Sequence, residues 1–125
     1  MIGVDLIKSS RMERMIERFS DRALQKFLVA EEIKLVKNYK TAAGFWAAKE
    51  ALSKALGVGI GKACNFHDIK IYKTAAGAPK IALSKRVIEE FEIIDAALSI
   101  THDGEYAIAV VSVKTLATTN KIKQF

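Results

Sequence analysis

The sequence has one cysteine, one proline and no apolar run long enough to cross a membrane. Cys64 therefore has no partner in the chain for a disulfide and no second thiol for a cysteine-based metal site, and we expect it to be a small apolar core residue. The opening residues, MIGVDLIKSS, include an acid where a signal peptide would be apolar. These features predict a cytosolic protein.

Acidic residues are also in the minority, since 14 Asp and Glu face 20 Lys and Arg and leave a net charge of +6. This balance predicts an acidic partner or substrate, which includes nucleic acid, a membrane surface, a phosphorylated small molecule or an acidic protein. A nucleic-acid-binding module is the main alternative to an enzyme. Aromatic residues are only 8% of the chain and do not interleave with a basic strand surface, which argues against that alternative.

The pattern of apolar residues predicts one α+β domain over residues 1–125, with an antiparallel sheet and no repeat or linker. We expect the polar tail from Thr115 onward to fray. The predicted elements are a strand Met1–Ile7, a helix capped by Ser9 or Ser10 and running to Phe19, helices Ala23–Leu28, Ala30–Tyr39 and Thr41–Gly57, strands Phe66–Lys73 and Lys80–Leu83, a helix capped by Ser84 and running to Phe91, and strands Ala96–Thr101 and Tyr106–Lys114.

The central helix Thr41–Gly57 carries charges that its surroundings make unusual. Lys49, Glu50 and Lys54 lie among alanines, aromatic residues and leucines, so most of this helix is predicted to be buried. A buried charge is costly unless it has a partner. Glu50 and Lys54 are four residues apart, the spacing and order of a favourable helical pair. Gly57 suits the left-handed position that ends a helix.

Asp5 is the second unusual charge, because aspartate is a poor strand former and its neighbours Val4 and Leu6 look buried. Two interpretations stay open. Its carboxylate either accepts backbone N–H groups at the end of the strand or binds a metal ion.

A polar cluster precedes the last predicted turn, His102–Gly104. Ser99 and Thr101 are two residues apart on a strand, so their hydroxyls share one face, and His102 follows at the predicted strand end. In a basic protein, two hydroxyls and an imidazole suit a phosphate group. The alternative is that Thr101 and His102 satisfy the backbone of the turn.

Four arginines recur at helical spacing along the first helix and past a predicted break at Ser20-Asp21. They are Arg11, Arg14, Arg18 and Arg22. Such a face is either solvated or docks an acidic partner, and the small number of acids in the row favours docking.

Three segments together resemble one known family, and they span nearly the whole chain in the family's order. They are Gly3-Val-Asp5, Phe45-Trp-Ala-Ala-Lys-Glu-Ala-Leu-Ser-Lys-Ala-Leu-Gly57, and Ser99-Ile-Thr-His102 followed by Glu105-Tyr-Ala. The family is the holo-acyl-carrier-protein synthases, the short branch of the 4′-phosphopantetheinyl transferases. The resemblance implies their fold and their activity, transfer of 4′-phosphopantetheine from coenzyme A to a serine of apo acyl carrier protein in fatty acid biosynthesis.

The resemblance also implies roles for individual residues. Asp5 and Glu50 match the family's Mg²⁺ ligands, and Lys54 matches a lysine at the pyrophosphate. The remaining matches are Lys49 beside the metal site, Ser99, Thr101 and His102 near the nucleotide 3′-phosphate, the turn Gly77-Ala78-Pro79 beside the adenine, and Arg11, Arg14, Arg18 and Arg22 toward the acidic carrier protein. Either a metal-bound water or Glu50 would remove the serine proton.

The short branch forms homotrimers with each site at a subunit boundary, so the resemblance implies a trimer here. A domain of this size is also small for enclosing coenzyme A alone.

Two departures from the family pattern bear on coenzyme A binding. Phe45 stands where many relatives have an arginine, and Ala78 replaces a lysine, for which Lys73 or Lys80 is the predicted substitute. An inactive assembly protein of the same fold is the second alternative, and the intact Asp5, Glu50 and Lys54 argue against it.

Overall fold

The N-terminal strand pairs with a C-terminal hairpin, and the central helix packs across the resulting sheet. The structure is a computed structural model that describes residues 1–116 and 122–125. Its helices are α1 (Ser9–Phe19), α2 (Asp21–Gln25), α3 (Ala30–Ile33), α4 (Tyr39–Ala55) and α5 (Lys85–Phe91). Its strands are β1 (Ile2–Lys8), β2 (Ile69–Lys73), β3 (Pro79–Leu83), β4 (Ile93–Asp103) and β5 (Tyr106–Thr115).

In the part of the chain that the structure describes, the strands form two antiparallel sheets. β5 lies between β1 and β4 in one sheet, and β2 and β3 form a hairpin. No helix among these residues is long and apolar enough to span a membrane. Of the tail expected to fray, Thr115 ends β5, and residues 117–121 lie outside the described residues.

Helix α4 forms the centre of the core, as the sequence predicts. The side chain of Asn38 caps its first turn by accepting the N–H groups of Lys40 at 2.9 Å and Thr41 at 3.3 Å. Alanines on most sides let the helix approach its neighbours closely, and eleven of its residues are buried. The helix ends as expected at Gly57, which adopts φ +77°.

Strand β1 lies unusually close to α4, and Gly3 makes this possible. A Cβ atom on Gly3 would lie 1.8 Å from the carbonyl oxygen of Ala51, which is part of the helix backbone. Because strand side chains alternate, Asp5 faces the helix with Gly3, while Val4 and Leu6 face away. The expectation that these two neighbours of Asp5 are buried is wrong, since they are 54% and 55% exposed.

Several boundaries differ from the sequence prediction for local reasons. Ser9 is the first residue of α1 rather than its cap, and its backbone N–H donates to the carbonyl of Glu105 at 2.7 Å. The predicted helix Ala30–Tyr39 is helical only over Ala30–Ile33, because Asn38 already caps the next helix. Residues Phe66–Asp68 form a 3-10 turn before β2. The Ser84 cap of α5 is confirmed by its bond from the Val87 N–H.

Candidate active site

Three charged side chains meet where β1 crosses the C-terminal half of α4. Lys54 donates from Nζ to Oδ1 of Asp5 at 2.7 Å, across 49 residues of chain. Glu50 lies one turn before Lys54 on the same helix and is close enough to Asp5 for the aspartate charge to affect its titration. The structure therefore brings together the two acids and the lysine that the sequence analysis singled out. Within residues 1–116 and 122–125, the bond that the Asp5 carboxylate accepts comes from the Lys54 side chain and not from a backbone N–H group.

The electrostatics of this cluster leave it short of positive charge. Partial burial, and then the nearby charge of Asp5, raises the pKa of Glu50, and Lys54 only partly offsets this. The hydrogen bond to Asp5 raises the pKa of Lys54 and keeps its ammonium protonated. Two carboxylates with a single, half-exposed ammonium between strand and helix suit a further cation.

The donor set also fits a hard divalent cation. Carboxylate oxygens are the ligands that Mg²⁺ prefers, and it usually takes one or two of them and fills its octahedral shell with water and phosphate oxygens. Among residues 1–116 and 122–125, no group of three His, Cys, Asp or Glu side chains converges as a closed metal site. Asp5 and Glu50 would thus hold an ion on one side and leave the other side open to a ligand.

The side chain of Lys49 points into the core rather than toward the metal site beside which the resemblance places it. Its side chain is fully buried, and Nζ donates to the Phe27 carbonyl at 2.6 Å, to Oε1 of Glu32 at 2.9 Å and to the Phe66 carbonyl at 3.0 Å. An ammonium has three donors, so none is left for a ligand. Burial lowers the pKa of Lys49, while the hydrogen bond from Lys49 to Glu32 opposes that shift.

Glu32 is the residue that sequence reasoning missed. It is fully buried, and besides Lys49 it accepts the backbone N–H groups of Val29 at 3.0 Å and Ile71 at 2.9 Å. A buried lysine on the central helix requires a carboxylate partner, and that requirement was the available signal. Spacing could not select Glu32, because the apolar pattern predicts one longer helix over Ala30–Tyr39 instead of the short helix Ala30–Ile33.

A cavity of about 230 Å³ opens beside the N-terminal half of α4. Its lining includes Lys37, Thr41, Phe45, Lys73, Pro79 and His102. His102 lies directly over Gly44, where a Cβ atom would be 3.3 Å from Cε1 of the imidazole. Two lysines, an imidazole and an apolar wall make this cavity suitable for an anionic group attached to a flat or apolar one.

Ser99 and Thr101 do not share that cavity. They pair with Val110 and Ile108 and are exposed on the face of the sheet that points away from α4, whereas His102 lies on the helix side. The predicted cluster of two hydroxyls and an imidazole is therefore not formed within one chain. The reason is that β4 continues to Asp103, so the alternation of side chains continues through His102.

The turn before β3 meets the cavity at one end. Pro79 lines it, while Gly77 is exposed at the turn with φ +88°. Of the two lysines predicted to substitute at this turn, Lys73 lines the cavity and Lys80 lies in a separate groove between β3 and β4. Of these two candidate substitutes, Lys73 is therefore the one that borders the cavity.

The predicted row of arginines is exposed on α1 and α2. Arg11, Arg14 and Arg18 border a shallow depression with Met15 and Phe19, and the Arg18 guanidinium lies 5.2 Å from the centre of the Phe19 ring. Arg22 follows the break at Ser20, which has φ +50°. The surface combines fixed positive charge with exposed apolar side chains.

Cys64 is buried as expected, and burial raises the pKa of its thiol to about 11. A thiol with such a pKa is almost entirely protonated at neutral pH. It contributes packing and no reactive group.

Comparison with known proteins agrees with this geometry. A family model described as the 4′-phosphopantetheinyl transferase superfamily matches residues 1–111. A protein of Sulfurimonas denitrificans named holo-[acyl-carrier-protein] synthase is 61% identical over 122 residues, which are 98% of this chain and 100% of that protein.

Solved structures give the same result. The Helicobacter pylori holo-[acyl-carrier-protein] synthase in complex with coenzyme A is 47% identical and superposes with a TM-score of 0.89, covering 91% of this chain and 100% of that one. The Bacillus anthracis protein of the same name, in complex with CoA (3′,5′-ADP), is 35% identical with a TM-score of 0.76, covering 91% and 95%. The resemblance drawn from the motifs and the predicted fold class are both confirmed.

Proposed function

The chain belongs to the 4′-phosphopantetheinyl transferase superfamily, and we propose that residues 1–125 are a single transferase domain with holo-acyl-carrier-protein synthase activity. In this reaction the serine hydroxyl of an apo acyl carrier protein attacks the phosphorus that bears pantetheine. The bond from that phosphorus to the adenosine 5′-phosphate oxygen breaks, adenosine 3′,5′-bisphosphate leaves, and the serine proton passes to a base.

The observation that carries this proposal is the convergence of Asp5, Glu50 and Lys54. We place Mg²⁺ on Asp5 and Glu50, where it would neutralise charge on the pyrophosphate. Lys54 bonds to Asp5, and about half of its side chain is exposed to solvent. Because of this exposure, its ammonium can turn toward the pyrophosphate oxygens with little further loss of hydration. The positive charge that a pyrophosphate and its leaving group require would come from Lys54 and from the cation held by the two carboxylates.

We assign the adenosine end of coenzyme A to the cavity over Gly44 of one subunit, and its pyrophosphate to Asp5, Glu50 and Lys54 of the neighbouring subunit. Pro79 and Phe45 offer apolar contact for the adenine. Lys37 and Lys73 offer positive charge for the 3′-phosphate, and the His102 imidazole offers an N–H donor. Lys73 supplies charge near the turn where Ala78 departs from the family. Lys49 has no part in this binding, because its donors are used within the core.

The second substrate, an acidic carrier protein, is assigned to the arginine surface. Arg11, Arg14, Arg18 and Arg22 offer guanidinium groups that bond carboxylates in pairs, and Phe19 is 49% exposed among them. Such a surface, basic with an apolar centre, resembles a protein interface more than a nucleic-acid groove.

We further propose a homotrimer with shared sites. The outer face of the sheet exposes Ile2, Val4, Leu6 and Val110, between 43% and 75% each, and exposed apolar patches of this kind mark protein interfaces. Ser99 and Thr101 lie on the same face. A neighbouring copy packed there would bring these hydroxyls to a subunit boundary, which explains how residues that one chain keeps apart could serve one ligand.

The direct test is the mass of an apo acyl carrier protein after incubation with coenzyme A, Mg²⁺ and this protein. Transfer adds the mass of phosphopantetheine, and the addition should disappear with EDTA and in Glu50→Gln. An unchanged mass together with a salt-sensitive shift of an oligonucleotide would instead support the nucleic-acid alternative. An unchanged mass without such a shift would support an inactive assembly protein.

A further inference from the structure

Lys49 and Glu50 are adjacent in sequence, but the structure gives them different surroundings. Lys49 is fully buried on the side of α4 that faces α3 and β2, whereas Glu50 is half-buried on the side that faces Asp5. Successive side chains of an α-helix diverge by about 100° around its axis. The direction in which Lys49 points therefore determines the direction in which Glu50 points.

The contacts of Lys49 fix that direction from several sides. Its ammonium bonds to oxygens of three separate segments, namely Phe27 after α2, Glu32 in α3 and Phe66 before β2. Glu32 is held in turn by the N–H groups of Val29 and Ile71. A small rotation of α4 would break all three lysine bonds at once and leave two charges unpaired in the core.

We propose that the buried Lys49–Glu32 pair is a positioning device that fixes the rotation of α4 and thereby holds Glu50 toward Asp5. The inference rests on the proposed function, because it gives Glu50 the role of a cation ligand. A purely structural pair would not need charges, since apolar residues of similar volume often stabilise a core as well as a buried ion pair does.

The chain contains a spectroscopic reporter of this contact. Trp46 is the only tryptophan and lies one turn before Lys49. Its ring packs against those of Phe27 at 5.1 Å and Phe66 at 4.7 Å, the two residues whose carbonyls accept from Lys49. Rotation of α4 therefore changes the surroundings of Trp46 as well as those of Glu50.

The test compares Glu32→Gln, Lys49→Met and Glu32→Asp with Val87→Ala in the full chain. Val87 is buried in α5, so its truncation lowers stability by leaving a cavity without changing the ion pair. For each variant, Mn²⁺ binding to the protein is titrated by electron paramagnetic resonance. Trp46 emission, Tm, kcat and the KM for coenzyme A are measured on the same preparations.

We expect Glu32→Gln and Lys49→Met to weaken Mn²⁺ binding and lower kcat by about tenfold each, as losses of groups that orient metal ligands usually do. The KM for coenzyme A should stay near the wild-type value, and Trp46 emission should shift. Glu32→Asp keeps both charges and should give smaller changes. Val87→Ala should lower Tm and leave Mn²⁺ binding unchanged.

The inference is overturned if the folded Glu32 and Lys49 variants bind Mn²⁺ and turn over like the wild type. Should those two variants fail to fold, Glu32→Asp decides: a shifted Trp46 emission together with wild-type Mn²⁺ affinity in that protein would also overturn it. Wild-type protein that binds no Mn²⁺ and transfers nothing would overturn the proposed function itself, a result distinct from either of these.

Discussion

The ammonium of Lys54 lies 2.7 Å from the carboxylate of Asp5 and connects the first strand to the last turn of the central helix. The side chain of Lys54 is 51% exposed, whereas that of Asp5 is 13% exposed. The contact thus joins a positioned acid to a lysine that can still reach solvent or a ligand.

This exposure predicts that Lys54 matters to catalysis and little to stability. Lys54→Met should lower kcat by about a hundredfold, as removal of a charge that stabilises a transition state does. Unfolding free energy should change by less than about 1 kcal/mol, because exposed ion pairs contribute little. Chemical denaturation measures the free energy of unfolding, and steady-state kinetics measure kcat.

Lys85→Met is the matched control, since Lys85 pairs with Glu89 on the surface of α5 at 3.8 Å. Lys85→Met should leave kcat and the free energy of unfolding unchanged. A Lys54→Met enzyme within twofold of wild-type kcat would remove Lys54 from the reaction.

Shared sites predict complementation between inactive chains. Glu50→Ala and His102→Ala proteins should each be inactive, and an equal mixture, unfolded and reassembled together, should recover up to about a quarter of wild-type activity if copies combine at random in a closed ring. The recovery arises because some boundaries then contain an intact Glu50 and an intact His102.

Val4→Lys in both chains provides the control for assembly. It places a charge on the exposed sheet face and should abolish the recovery and give monomers in light scattering. Absence of any recovery from trimeric mixtures of the first two variants would contradict shared sites.

The close contact between β1 and α4 predicts a large effect of one methyl group. In Gly3→Ala the new Cβ would meet the backbone of Ala51, which cannot move without displacing the helix, so stability should fall by about 3 kcal/mol. Activity should fall with it, because Asp5 lies two residues along the same strand.

Gly61→Ala is the comparison, as a Cβ there meets nothing within 4 Å and the residue does not have positive φ. It should stabilise the protein by about 0.5 kcal/mol through the unfolded chain. Equal unfolding free energies for the two variants would show that Gly3 is not tightly packed.

Asp68 is a largely buried acid just before β2, and it predicts that stability depends on pH away from the Asp5–Glu50 site. Burial alone would raise the pKa of Asp68, but the Asn65 N–H, the Ser84 hydroxyl and the Arg86 guanidinium together hold it below its ordinary value. Since the folded pKa is the lower one, the unfolded chain binds more protons between the two values. The stabilisation is complete above the unfolded pKa and is lost as pH falls through the folded pKa.

Asp68→Asn should therefore lower the free energy of unfolding by about 1.5 kcal/mol at neutral pH, the scale of hydrogen bonds to a charged group. The difference should become progressively smaller in acid. Denaturation curves from pH 7 down to the acid range measure this difference. The exposed Asp95→Asn is the control, and a cost for Asp68→Asn that does not diminish in acid would contradict the assignment.

The sequence predicted the central helix and its end well, because alanine content, the Gly57 signal and apolar spacing all agree there. It also required a partner for Lys49. It could not identify Glu32, since that contact depends on how a short helix folds back on β2. Likewise, the contact between Asp5 and Lys54 spans 49 residues, and no local pattern records it. The pairing of the two acids came from resemblance to a family.

The wrong prediction of where β4 ends has a simple physical origin. The strand was expected to end at Thr101, which would have freed the imidazole to join the hydroxyls. The strand instead runs to Asp103, two residues further than predicted, and the two-residue loop Gly104-Glu105 closes the hairpin. Because side chains alternate along a strand, continuing β4 through His102 places the imidazole on the face opposite to Ser99 and Thr101.

The central claim is that Asp5 and Glu50 together hold a divalent cation against the coenzyme A pyrophosphate. A crystal structure with coenzyme A and Mn²⁺, measured at the manganese absorption edge, tests it most directly. The account predicts one anomalous peak within coordination distance of both carboxylates and of a pyrophosphate oxygen. Manganese bound elsewhere, or a pyrophosphate remote from Asp5 and Glu50, would contradict it.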